Sequence, residues 1–507
     1  MMGYQEEITR VEGDRFPGKT YAEVVLEPAF NEAKRHLLAP MMAIHKAHLI
    51  MLYEQGLLTF AEAQQIARAL QALDLEEFRQ SEYTGEYEDL FFQVEDRLLH
   101  IAGEIAGNLH LARSRNDMGI AIYRMVLREK LLGLLDEALA FRDQLLAFAQ
   151  DHVETYMIGH THTQQAQPTT MAHYIVAVTD LLERDIKRLI GAYERCNRSS
   201  MGAAALTTSG FAISRERMME LLAFDALIEN SYDAIAGADY LAEIAATTQV
   251  AAINMGRVVQ DLLQWCTQEF AILKVAAPYV QISSIMPQKR NPVSLEHSRA
   301  LLSSCVSNAQ TVVHMMHNTP FGDIVDTEDD MQPYLWKSLD LLGRLYHLLS
   351  CVIGTVEVNK EILLQRLQGS FATITELADT LVRTDGLAFR TAHHIASGVV
   401  KVALERGLAA NEITLALVND VAQEIIGRPL SLTEAGLKLA LDPIHFVKIR
   451  SLPGGPEPEE IRRAIASRHE QQATFKIWLA ERRNRIAAAE ALLDETLQRW
   501  NRGEEAR

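Results

Sequence analysis

Between Gly119 and Ala149 the chain reads GIAIYRMVLREKLLGLLDEALAFRDQLLAFA, with apolar residues recurring every three or four positions. That spacing predicts a helix, and it persists far beyond the three or so turns of an average one. Similar long stretches are expected over 171–195, 231–270, 293–317 and 333–356, with a shorter amphipathic helix over 63–75. Each carries a broad apolar face, and no hairpin signature breaks the series. Helices this long need partners on more than one face. The expected fold is therefore all-α, with a central long-helix bundle completed by further copies of the chain.

With 507 residues, 48% of them apolar, there is enough chain for a large core and several domains. The formal net charge of -18 argues against a nucleic-acid or anionic-membrane partner. It does not exclude anionic substrates, because a local basic pocket outweighs the global field at short range. Cys196, Cys266, Cys305 and Cys351 are widely separated and form no metal-ligand spacing, which fits small buried hydrophobes in a reducing compartment. The N-terminal MMGYQEEITRVEGDRF lacks the apolar core of a secretory signal. No apolar run reaches the length needed to span a bilayer, and a cytoplasmic location is expected. Boundaries near Arg113 and Gln368 predict domains over 1–112, 113–367 and 368–507. The tail NRGEEAR is expected to fray.

Polar clusters fall between the helices. QISSIMPQKRNP, Gln281 to Pro292, combines two adjacent hydroxyls, Ser283 and Ser284, with the donors Lys289 and Asn291. Pro287 and Pro292 restrict the turns that aim them. Such a segment suits a carboxylate that becomes more negative as a proton leaves the neighbouring carbon. LHLARSRND, Leu109 to Asp117, sets Ser114, Arg115 and Asn116 just before a long helix, a good carboxylate clamp. A plain helix cap explains Asn116 or Asp117 equally well. GHTHTQQAQP, Gly159 to Pro168, supplies Thr161, His162 and Gln164. The pair His160 and His162 has no third ligand cluster to make a metal site. The other reading is a histidine in proton transfer or carboxylate polarisation, held in one tautomer by Glu296.

SSIMPQKRNP resembles the signature loop of the fumarase/aspartase superfamily, while LARSRND and THTQQAQP are similar to the first two shared regions of its argininosuccinate lyase branch. SMGAAAL (Ser200 to Leu206), NSYDAI (Asn230 to Ile235), LADTLVRTDGLAFRTAH (Leu377 to His393) and LPGGPEPEEI (Leu452 to Ile461) extend the likeness over most of the chain. The resemblance implies a three-domain homotetramer whose active sites each draw three motif regions from three subunits. It also implies a cofactor-free, metal-free elimination: a base removes a proton beside a carboxylate, the next carbon loses nitrogen or oxygen, and fumarate is the usual product. Carried over by position, Ser283 is the expected base, its alkoxide stabilised by Lys289 and backbone amides. Lys289 and Asn291, with Ser114, Asn116 and Thr161, would hold the substrate's carboxylates. His162 backed by Glu296 would support that site, Gln164 would position, and Arg115, Ser284 and Met286 complete the substrate-binding set.

Departures from the branch concern the amine side. Ile282 replaces the glycine that usually precedes the two serines. Leu90 and Phe91 follow Glu88 and Asp89 where the branch has a histidine. Asp323, Glu328 and Met331 stand in place of a tyrosine, a glutamine and a lysine, and Met41 in place of an aspartate. Each lost charge-assisted contact costs about 1.5–3 kcal/mol. The expected function is a carbon–nitrogen lyase releasing fumarate from an N-substituted aspartate other than argininosuccinate. Relatives of the ethylenediamine-disuccinate lyase type fit that division, Phe91 and Met331 being compatible apolar replacements. The alternatives are a genuine argininosuccinate lyase with rebuilt amine contacts, and a structural protein on a lyase scaffold of the kind found among lens crystallins.

Overall fold

The structure, a computed structural model, describes residues 4–505. An N-terminal layer contains α1 (Leu38–Glu54), α2 (Phe60–Ala72) and α3 (Leu90–Ala102). Thr59 starts α2 with a reciprocal cap, its side chain accepting from the Glu62 N–H while Glu62 accepts from the Thr59 N–H. The central helices are α4 (Arg115–Asp151), α5 (Met171–Cys196), α6 (Asp239–Trp265), α7 (Val293–Met316) and α8 (Gln332–Ile353). At 37 residues, α4 runs about 55 Å. It packs against α5 and α8, while α7 lies between α6 and α8. Leu127, Leu131, Leu135, Leu146 and Tyr346 are among the fully buried side chains of this core. The apolar spacing of α4 thus covers several faces because the helix has several neighbours.

The expected 231–270 helix divides into Ser231–Ala236 and α6. Gly237 makes the break: a Cβ there would come within 2.7 Å of the Asp233 carbonyl. The absence of hairpins expected from the sequence is also corrected. β1 (Tyr156–Thr161) and β2 (Gln164–Thr170) form an antiparallel hairpin between α4 and α5. Its turn is His162-Thr163 rather than the usual Asn-Gly or Asp-Gly, so no turn signal marks it.

A separate apolar core, with Leu381, Ile395, Val399 and Val418 at its centre, lies among α9 (Ile374–Asp385), α10 (Phe389–Glu405) and α11 (Leu415–Ile426). The last helix, α12 (Pro458–Asn501), leaves that core and packs on α1, α2 and α4. Near its start Arg468 forms a two-pronged pair with Asp180 at 2.6 and 2.7 Å, and near its end buried Trp500 meets Tyr53 edge-on at 5.0 Å. The tail is less free than expected, because the Tyr53 O–H donates to Glu505 at 2.8 Å; residues 506–507 lie outside the described ones. The four cysteines are free, Cys196 and Cys305 buried and Cys266 and Cys351 partly so. Among the described residues no helix is long and apolar enough to cross a membrane.

Candidate active site

Ser114 caps α4. Its Oγ accepts from the Asn116 N–H at 3.2 Å, and its own N–H donates to Asp117 Oδ1 at 3.0 Å. The Ser114 O–H donates to Asn116 Oδ1 at 3.0 Å, and Asn116 Nδ2 reaches the Ala205 carbonyl at 3.4 Å. Ser114 and Asn116 thus serve as cap and as a half-buried polar edge together. Asp117 is fully buried, and its Oδ2 receives the N–H groups of Gly202 and Ala204 at 2.9 and 3.0 Å. Burial pushes its carboxyl up to about 6, against the pull of those N–H groups. The S-x-x-D cap pattern was the only sequence sign of this residue, which docks the 200–206 loop on the start of α4. Gly202 is required there: it has φ +79°, and a Cβ would lie 2.6 Å from Arg215 Cγ.

Arg115 is not a free clamp in this chain. Its guanidinium pairs with Glu88 at 3.3 Å and Asp89 at 2.9 Å, and lies 4.7 Å from the Phe92 ring centroid. Across the same end of α4 stands the 323–330 segment, where the Tyr123 O–H donates to Asp329 Oδ1 at 2.7 Å. Burial, reinforced by Asp323 alongside, pushes Glu328 up to about 8. Phe91, Met331 and Met41 belong to the apolar core, at 6%, 0% and 4% exposure. Phe91 and Met331, the apolar replacements singled out in the sequence, are therefore core side chains. Phe91 turns inward from α3 and Met331 from the residue before α8, whereas Asp323 and Asp329 are exposed and Glu328 is half-buried.

The hairpin carries the second motif. Thr161 pairs with Gln164, and the turn residues His162 and Thr163 have φ of 52° and 63°. A left-handed conformation at two consecutive non-glycine residues costs roughly 1–3 kcal/mol each, a strain characteristic of functional turns. Thr161, His162 and Gln164 are all exposed. The hairpin is braced from behind by Gln167, whose amide donates to Thr375 Oγ1 at 3.4 Å, and by Thr170, which accepts the His173 N–H at 3.1 Å.

The third motif is a closed loop. β3 (Gln281–Ile282) pairs with β4 (Arg290–Asn291), and the Ser283 N–H donates to the Lys289 carbonyl at 3.3 Å. Inside the loop, Ser283 Oγ receives the N–H groups of Met286 at 3.1 Å and Ile285 at 3.4 Å. Two main-chain donors on one hydroxyl oxygen favour its ionised form. Arg290 anchors the loop by donating to the Val275 carbonyl at 3.3 Å. Ser284, Met286 and Lys289 are exposed, Asn291 half-buried, and Glu296 exposed on the first turn of α7. Ile282, at 64% exposure, leaves the hydroxyl in place.

Within one chain, among the described residues, no hydrogen bond or ion pair joins Ser114–Asn116, Thr161–Gln164 and Ser283–Asn291 to one another. His162 and Glu296 are likewise not brought together. Thr161, His162, Gln164, Ser284 and Lys289 are exposed, whereas Ser114, Asn116, Ser283 and Asn291 are half-buried.

Beneath the α4 terminus lies a polar cluster that sequence reasoning missed. Arg113 Nη1 contacts His45 Nδ1 at 3.2 Å, and the His48 ring bonds the Leu111 carbonyl at 2.9 Å. Burial pushes His48 down to about 3 and His110 to about 4, with the Arg113 charge adding to the effect. These folded values lie below the unfolded value of about 6.5. The unfolded chain therefore takes up protons that the folded chain refuses, and stability is lost as pH falls below about 6.5. Urea midpoints should drop from about pH 6.5 towards pH 4, and His48→Gln should flatten that slope. An unchanged slope would remove His48 from the account.

The family profile described as Lyase matches residues 11–306, and that of the argininosuccinate lyase C-terminal region matches 371–448. The chain is 40% identical over 485 residues to argininosuccinate lyase 2 of Agrobacterium fabrum, covering 95% of this chain and 96% of that one. It is 37% identical over 453 residues to the argininosuccinate lyase of Methanosarcina barkeri, covering 88% and 90%. Among solved structures it is similar to EDDS lyase in complex with formate, with a TM-score of 0.86, 30% identity and 98% of each chain covered. With its long-helix bundle, both profile matches and a relative 40% identical over almost its whole length, the chain belongs to the argininosuccinate lyase branch of the fumarase/aspartase superfamily.

Proposed function

We propose that the protein is a cofactor-free carbon–nitrogen lyase that eliminates an amine from an N-substituted L-aspartate and releases fumarate. The observation that carries this reading is the Ser283 hydroxyl, which receives two main-chain N–H groups inside the motif loop of a chain from this family. Ser283 takes the proton from the carbon beside the substrate's carboxylate. The N–H groups of Ile285 and Met286 make its alkoxide accessible, and Lys289 adds a positive charge when the loop closes. Negative charge moves onto that carboxylate, held by Asn291 and Lys289 with Ser114, Asn116 and Thr161. The C–N bond then breaks, and the departing nitrogen takes up a proton as the amine leaves. His162, backed by Glu296, supports the carboxylates, Gln164 positions them, and Ser284 and Met286 line the loop side.

This assignment needs the three motifs in one cavity, which a homotetramer supplies by taking each from a different subunit. In support, the motifs stand apart within one chain, and α6 and α7 leave Val250, Ile253, Leu301 and Val313 exposed on the bundle. A cytoplasmic location belongs to the same proposal. So does the division into 1–112, 113–367 and 368–507, supported by the separate core of α9–α11, although α12 packs back on the first two regions.

For the substrate, the residues expected on the carboxylate side are present, whereas the amine side is rebuilt with Asp323 and Glu328. An aminopolycarboxylate or related N-substituted aspartate fits better than argininosuccinate. The second reading, a genuine argininosuccinate lyase, is favoured by the names of the relatives at 37–40% identity. Purified protein is given argininosuccinate and a set of other N-substituted aspartates, and fumarate is followed by its ultraviolet absorbance. The expected result is release from at least one alternative about tenfold or more faster than from argininosuccinate, the scale of one lost charge-assisted contact. Equal or faster processing of argininosuccinate, with rescue of an arginine-requiring strain, selects the second reading.

A further inference from the structure

We infer that the chain carries a second binding site, behind the Ser283 loop and separate from the reaction residues, for a short aliphatic monocarboxylate.

A cavity of about 430 Å³ opens at the base of that loop, within the size range of small-ligand sites. One wall is the strand that leads out of the loop. Gln288, Arg290 and Pro292 line the cavity, whereas Lys289 and Asn291 do not. Successive side chains of a strand point to opposite faces, so β4 turns Arg290 towards the cavity and Asn291 away from it. The residues proposed to hold the reacting carboxylates thus lie on one face of this strand, and the cavity lies on the other.

Leu273, Val275, Val280 and Val358 give the cavity apolar surface, which suits a hydrocarbon chain. Charge selects the head group. Three ionised side chains line the cavity: Lys274, Glu357 and Arg290. Lys274 and Glu357 face each other across a short antiparallel pair and neutralise one another at 2.8 Å. Arg290 has no such counterion. Among the described residues no ion pair reaches it, and its side chain makes one hydrogen bond, from Nη2 to the Val275 carbonyl at 3.3 Å. The remaining guanidinium N–H groups are donors in the geometry that a carboxylate accepts. A chain of net charge -18 therefore presents here one uncompensated cation beside aliphatic side chains. A second carboxylate on the ligand would find no cation left and would meet Glu357, and an amine would be repelled by Arg290. Cys266 lines the same cavity, and burial pushes its thiol up to about 11. Such a thiol is a weak nucleophile, so the ligand is held by contact rather than by a covalent bond.

Cys266 can report occupancy. Its alkylation by N-ethylmaleimide is followed by peptide mass spectrometry on the whole protein at mildly alkaline pH, with Cys351, outside the cavity lining, as the reference. Near-saturating pentanoate should slow Cys266 about threefold or more and leave Cys351 unchanged. Pentylamine and fumarate should protect less. Saturation-transfer NMR on the pentanoate methyl reads the same binding without the thiol. In Arg290→Gln, and independently in Gln288→Glu, the half-protecting concentration of pentanoate should rise about tenfold or more. Arg290→Lys, which keeps the charge, should lose less. Saturating fumarate, which fills the reaction site, should leave the pentanoate protection as it was. Equal protection by pentylamine or fumarate, no pentanoate binding in either readout, or binding that survives both variants overturns the inference. Loss of pentanoate binding under saturating fumarate would make the cavity part of the reaction site, and overturns it too. None of these readouts uses turnover, so the inference fails or stands apart from the lyase reading.

Discussion

Ser283→Ala lowers kcat by about 10²–10⁴-fold, the range for loss of a positioned general base, while KM stays within a few-fold of its original value. A serine hydroxyl is a poor base at its ordinary pKa, so the proposed role requires its alkoxide to be stabilised. The N–H groups of Met286 and Ile285, at 3.1 and 3.4 Å from Ser283 Oγ, are placed to supply that. Alanine removes the oxygen that receives them and leaves the β3–β4 pairing and the Arg290 anchor untouched. The variant should therefore keep its assembly state in gel filtration and its unfolding midpoint. Ser284→Ala is the control: its hydroxyl receives no main-chain donor among the described residues, and a smaller loss is expected. Near-normal turnover in Ser283→Ala would take the proton-abstracting role away from this residue.

Asp117→Ala costs roughly 3 kcal/mol of stability or more, read as a lower urea midpoint. The side chain receives the N–H groups of Ser114, Gly202 and Ala204 in a fully buried position, so its removal leaves three donors without a partner. The loss reaches the site as well as the fold. Ser114 loses half of its reciprocal cap, and the 200–206 loop loses its tie to α4, so the edge formed by Asn116 and Ala205 is released. Amide exchange should accelerate at Gly202 and Ala204 before the rest of the bundle opens. Unchanged protection of those two amides would show that the Ser200 O–H, which donates to the Asp117 carbonyl at 2.8 Å, suffices to hold the loop.

Both expectations turn on local geometry that the residue pattern shows only in part. The Ser114–Asp117 cap was legible, because side-chain caps follow from residue type and three-residue spacing. The burial of Asp117 was not, since its other partners come from a loop more than eighty positions away. The long helices were legible for the same reason of periodicity, with ends close to those of α4, α5, α7 and α8. The β1–β2 hairpin escaped notice because its turn uses His162 and Thr163 in left-handed conformations without glycine or asparagine. That Phe91 and Met331 fill the core was not legible, because type alone does not say whether an apolar side chain lines a cavity or fills a core.

By itself, the sequence determined the all-α bundle and singled out the three segments proposed to carry the chemistry, since both depend on short-range spacing and residue type. The tertiary structure alone decided which groups face one another. It aimed two amides at the Ser283 oxygen and committed Arg115 to Glu88 and Asp89. Such meetings depend on how distant segments pack, and no local pattern in the chain encodes them.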